Sequence, residues 1–328
     1  MQRSVWFLLL STILGCSGSP SGSTAAPPDP NAPPVPRFEP RQRFPAHPAE
    51  NRPLAFSPDS RYLATRSPRG GFQIWDIEQS RVLQSFEESK RRITSMAFSA
   101  DGRQLFADDP FTEGTGVWDV STGKKLRAFA GAGLNLALSA DGTLLAGGSS
   151  LGAIYLWDVR SGDERGRMRG HSEEPACLAF TPQGDWLASG GRDGTVRLWE
   201  VQEARQSRLL SGHKGIVHAA AFSRDGRRLA TAGQDKVVFV WDVPGGNRLQ
   251  ALSGHRGEIR GVTFSQDGRL LISAGLDDTL RIWDPATGKE LRTLPAELGG
   301  VQTVALSPDG RRFAATGKSD VRVWELVP

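Results

Sequence analysis

A Trp followed by an acidic residue returns seven times, at Trp75-Asp76, Trp118-Asp119, Trp157-Asp158, Trp199-Glu200, Trp241-Asp242, Trp283-Asp284 and Trp324-Glu325. The Trp spacings are 43, 39, 42, 42, 42 and 41 residues. A beat this regular means that one small unit is built seven times and that each unit buries its apolar face against the next. Two further markers keep the same phase. Phe56, Phe98, Leu138, Phe180, Phe222, Phe264 and Leu306 each precede Ser or Thr and then a turn. Gly-His stands nine residues before the Phe at His171, His213 and His255, and His47 keeps that offset with Ala before it.

Within one period, Ala221–Asp242 reads as three short apolar runs. They are separated by turns on Arg224-Asp225-Gly226 and on Asp235, the pattern of short antiparallel strands. After each Trp-Asp comes another turn, such as Pro285-Ala286-Thr287-Gly288, and then a fourth run such as Lys289–Leu294. A run as apolar as Val237–Trp241 needs cover on both faces, which face-to-face stacking of small sheets supplies.

Taken together, Gly-His, the Phe-Ser-x-Asp-Gly turn, an Asp in the second turn and the closing Trp-Asp resemble the WD-repeat family. The resemblance covers about residues 41–328 and implies an all-β chain, a seven-bladed β-propeller of four-stranded antiparallel blades. Unit seven stops after its third strand. Arg41–Phe44 sits before His47 as Arg165–Met168 sits before His171, so this N-terminal strand is expected to complete the last blade and close the ring.

Ser or Thr, His and Asp recur together in units four to six: His171, Ser189, Asp193 and Trp199; His213, Thr231, Asp235 and Trp241; His255, Ser273, Asp277 and Trp283. Hydrolytic triads use these residue types, but catalysis needs one site and this set is repeated in phase. The family resemblance implies structural tetrads that tie the Gly-His loop to the second turn and third strand. Unit one keeps His47, Thr65 and Trp75 but has Arg69 at the Asp position. Units two, three and seven lack both His and Asp, so packing is expected to hold them, with the ring weakest there.

The first residues follow another logic. Arg3 precedes the mostly apolar Val5–Leu14, too short to span a bilayer, which reads as an export signal over residues 1–15. Ile13-Leu14-Gly15-Cys16 resembles the bacterial lipobox, which implies lipidation of Cys16. Residues 16–40 read as a lipidated Cys followed by a Pro/Ser/Gly-rich linker without the apolar content for a core. The expected location is therefore the cell envelope, periplasmic or surface-facing. Ser17 after the Cys favours the outer membrane if the envelope is Gram-negative. The other cysteine, Cys177, lies in an apolar first strand and reads as an inert thiol.

A net charge of +4, with no basic run longer than Lys90-Arg91-Arg92, gives no footprint for nucleic acid. No His or Cys cluster has metal-ligand spacing, no Gly-rich loop opens a helix, and no cofactor is expected. The expected function is a membrane-anchored, extracytoplasmic WD-repeat platform or scaffold for protein partners, non-enzymatic and monomeric. The alternative is a propeller enzyme or small-ligand binder using the central channel. That alternative needs polar groups converging from the first strands, which runs such as Leu54-Ala55-Phe56 and Leu136-Ala137-Leu138 do not promise. The resemblance places the docking positions on the Gly-His face, at Glu50, Arg52, Arg92, Thr94, Glu174, Arg192, Ile216, His218, Gln234, Glu258, Arg260 and Leu276.

Overall fold

The computed structural model describes residues 37–45, 53–67, 71–86, 93–109, 114–131, 133–318 and 320–327. The expected export signal, Cys16 and the expected linker through residue 36, with His47, Arg69, Glu50, Arg52 and Arg92, lie outside the described residues; residues 37–40 of that linker belong to a strand.

Every regular element among the described residues is a strand, and the strands form seven four-stranded antiparallel sheets. Blade five shows why. Val217–Phe222, Arg228–Gly233, Val237–Asp242 and Arg248–Ser253 pair in chain order. Its first strand lies innermost. Its third strand is buried on both faces from Val238 to Trp241, between neighbouring blades. Its fourth strand is largely exposed. Blade-to-blade packing is the core. In one cluster Ala188, Val196 and Leu198 of blade four pack on Leu229, Phe239 and Trp241 of blade five.

The Phe-Ser-x-Asp-Gly turns are built locally. Ser223 Oγ donates to Asp225 Oδ1 at 2.5 Å and accepts from Arg228 N at 3.0 Å. Gly226 follows at φ 70°, a left-handed conformation that glycine adopts without strain. In blade one Ser60 holds that place at φ 61°, and its hydroxyl accepts from Asp309 N of blade seven at 3.0 Å. The departure from glycine thus contributes a bond across the ring junction.

The N-terminal strand completes blade seven, as expected, and runs Arg37–Pro45, four residues earlier than the sequence suggested. It pairs antiparallel with Asp320–Val327, from Arg37 opposite Val327 to Pro45 opposite Asp320. Phe38 stacks edge-on against Phe313 at 4.8 Å, and Phe44 lies 4.7 Å from Trp75 of blade one.

A girdle that the markers did not announce ties the outer strands. In four blades the residue opposite the one before the Trp reaches the next blade's outer turn. Gln42 donates to Ile77 O, Arg127 to Arg160 O at 3.2 Å, Arg208 to Pro244 O, and Gln250 to Ala286 O at 2.8 Å. The signal was present as a Gln or Arg nine residues after Trp118, Trp199 and Trp241.

Candidate functional site

Blades four to six assemble the repeated polar residues in one way. Trp199 Nε1 donates to Ser189 Oγ at 2.8 Å, and Ser189 Oγ is 2.7 Å from His171 Nε2. With the indole as donor, the hydroxyl donates to Nε2, so the neutral ring carries its proton on Nδ1. That nitrogen lies 3.0 Å from Asp193 Oδ2, which also accepts from Ser172 N at 3.0 Å. Blade five repeats the chain through Trp241, Thr231, His213 and Asp235 at 2.8, 2.9 and 2.8 Å. Blade six repeats it through Trp283, Ser273, His255 and Asp277 at 2.8, 2.8 and 3.0 Å. Burial holds His171 and His255 below the ordinary imidazole range despite the facing carboxylates. Burial alone raises Asp193 and Asp277, but the bonds they accept overcome it and hold both low. Each Ser or Thr is fully buried, so these chains hold loop to blade and offer no nucleophile to a substrate. In blade one, Trp75 Nε1 donates to Thr65 Oγ1 at 3.0 Å.

Blade two, expected to be held mainly by packing, also has a polar tie. Asp108, fully buried, takes the place that glycine or alanine fills in blades three to six. Its Oδ1 accepts from Thr94 N at 2.7 Å and Ser95 N at 2.8 Å; its Oδ2 meets the Thr94 hydroxyl and accepts from Asn135 N of blade three at 3.2 Å. Asn135 Nδ2 then donates to Pro175 O of blade four at 2.9 Å. Burial pushes the Asp108 carboxyl up to about 7, against the pull of these donors. Sequence reasoning passed it over because it sits one residue off the tetrad phase. Blade seven has a different tie: Asp278 Oδ1 of blade six accepts from Leu298 N at 3.0 Å and Gly300 N at 3.1 Å.

Six of the expected docking residues, Thr94, Glu174, Arg192, Ile216, His218 and Arg260, line one cavity of about 380 Å³ at the mouth of the central channel. All seven blades contribute to its wall, from Pro53 of blade one to Gln302 and Thr303 of blade seven. The expectation of a channel without converging polar groups is therefore corrected at this end. Glu258 and Gln234 adjoin the mouth. Glu258 Oε2 accepts from Arg260 Nη2 at 2.7 Å, and Gln234 Oε1 accepts from Ile216 N at 3.2 Å. Leu276 lies on the second turn of blade six, 36 % exposed. Thr94 is committed to Asp108, so it serves the fold before any partner.

The mouth is polar and only partly satisfied. Arg192 Nε lies 3.5 Å from Glu174 Oε2. His218 Nε2 is 3.3 Å from Glu258 Oε2, yet makes no aligned hydrogen bond among the described residues. Burial, then the Arg260 guanidinium, push this imidazole down to about 4 against the attraction of Glu258, so it is neutral at pH 7. Cys177 also lines the wall. Its Sγ is 3.6 Å from Val217 O, and burial pushes the thiol up to about 12, away from thiolate chemistry. Among the described residues no three His, Cys, Asp or Glu side chains gather as a metal site.

Four successive segments, residues 162–200, 204–242, 246–284 and 288–325, match the family model described as WD domain, G-beta repeat. The chain is 32 % identical over 117 residues to the WD repeat-containing protein SL1-17 of Schistosoma mansoni, covering 35 % of this chain and 38 % of that protein. It is 25 % identical over 114 residues to the WD repeat domain-containing protein 83 homolog of Dictyostelium discoideum, covering 33 % and 34 %. It is 33 % identical over 118 residues to SEC12-like protein 1 of Arabidopsis thaliana, covering 34 % and 30 %. Each match spans about a third of the relative's length.

Proposed function

We propose, from the WD-repeat family membership that the four matched repeats and these relatives support, that this propeller is a protein-interaction platform docking its partner over the channel mouth. One observation carries the reading. Side chains at positions that differ from blade to blade, on the turns and first strands, converge on a single cavity walled by all seven blades. The rigid ring holds them in place, and Arg at the centre of a docking surface is a favoured energetic anchor. The Ile13–Cys16 stretch supports the further proposal of a lipid anchor and an extracytoplasmic site of action. The test is capture of partners from envelope extracts by the purified propeller. The double variant Arg192→Ala/Arg260→Ala should lose capture while melting within a few degrees of the parent. Undiminished capture by the folded double variant moves the docking site away from the mouth.

A further inference from the structure

Taking the platform reading as its basis, the geometry points to a specific partner chemistry: an extended segment that seats an Asp or Glu carboxylate in the channel mouth, with apolar residues on either side. Arg192, from the second turn of blade four, and Arg260, from the first strand of blade six, flank blade five's His218 in one cavity. Both guanidiniums oppose protonation of that imidazole, so their positive fields overlap there. Their donors are underused. A guanidinium has five N–H groups in a fork that fits a carboxylate through two parallel bonds. Arg260 gives one bond to Glu258 at 2.7 Å, and its Nε has no partner among the described residues. Arg192 is 47 % exposed and lies 3.5 Å from Glu174, beyond a charge-assisted hydrogen bond. Glu174 and Glu258 thus act as partial occupants, and an incoming carboxylate displaces the weaker contact, that of Glu174.

The surroundings favour a peptide over a free small acid. Leu151, on the second turn of blade three, is 89 % exposed and stands where blade four has Asp193. Ile216 lines the mouth on blade five, and Leu276 is exposed on blade six. Apolar contacts therefore lie on both sides of the arginines. An extended chain rises about 3.3 Å per residue, so apolar residues flanking the acid by a few positions reach them.

The experiment uses fluorescence anisotropy with the full propeller and a short labelled peptide carrying two central glutamates between leucines. A matched peptide with glutamines and free glutarate as competitor accompany it. The glutamate peptide is expected to bind about tenfold tighter than the glutamine peptide, the scale of one charge-assisted pair. Arg192→Met and Arg260→Met should each erase that preference, and Glu174→Gln should tighten glutamate-peptide binding, since it removes the internal competitor. The gain in Glu174→Gln guards against loss of binding through misfolding. Equal binding of both peptides, no binding at about millimolar peptide, or no gain in Glu174→Gln overturns the carboxylate assignment. Glutarate displacing the peptide at equal concentration overturns the peptide and leaves a small acid as ligand. If the peptides bind equally while Arg192→Met and Arg260→Met still lose partner capture, the platform reading survives and the carboxylate does not. Capture retained in both variants overturns the platform reading at this mouth.

Discussion

Replacing Asp108 by Asn tests how a blade without a tetrad is held. In the parent, Oδ1 takes the Thr94 and Ser95 amides, while Oδ2 faces the Thr94 hydroxyl and the Asn135 amide. Asn keeps the first oxygen and turns an NH2 toward the Asn135 N–H. A donor then faces a donor, at a cost of about 1–3 kcal/mol. That cost does not depend on pH, whereas the parent's carboxyl does. Its folded value is raised from 3.8 to about 7 by burial, so its stabilising share is complete below about pH 4 and is lost as pH rises through 7. A shift of that size amounts to about 4 kcal/mol across the window. The gap between parent and Asp108→Asn should therefore be widest at about pH 4 and below, and should close or reverse by about pH 8. Urea unfolding followed by Trp fluorescence measures it, since other titrating groups are common to both proteins and cancel. A gap of constant size from acid to alkaline pH would refute the view that Asp108 is a buried, titrating tie.

Three other outcomes can be tested. Deleting residues 17–36 should leave the melting temperature unchanged, while deleting residues 17–45 should lower it by about 10 °C or more. The longer deletion removes buried Phe38 and Phe44, each contributing about 2 kcal/mol, and exposes the Asp320–Val327 edge; equal melting would remove the strand's role in closure. The tetrads titrate in the sense opposite to Asp108. His171 and His255 are held below 6.5, and Asp193 and Asp277 below 3.8, so their contribution is present at neutral pH and fades on acidification from about pH 6 downward. His255→Gln should flatten part of that acid limb in a calorimetric pH series, and an unchanged limb would count against it. Cys16→Ser should move the protein from the membrane fraction to the soluble one; a variant that still sediments with membranes at high salt would place the anchor elsewhere.

Much of this protein is determined by the sequence alone, because each repeat writes its own local geometry. Trp241, Asp235 and the Ser223-Asp225-Gly226 turn sit at separations set by strand and turn lengths, so their phase shows strands and turns without a coordinate, and the family resemblance implied the tetrads. The missing fourth strand of blade seven was legible for the same reason, since Arg41–Phe44 keeps the beat. Only tertiary structure decided what crosses between blades. Asp108 breaks the glycine-or-alanine pattern of its position, and its partner Asn135 is 27 residues away, in the next blade. Arg192, His218 and Arg260 come from three blades, one from a second turn and two from first strands, so periodicity says nothing of their meeting. They meet because the ring closes: seven blades set around one axis bring the tops of their inner strands within a side chain's reach, and no single repeat encodes that distance.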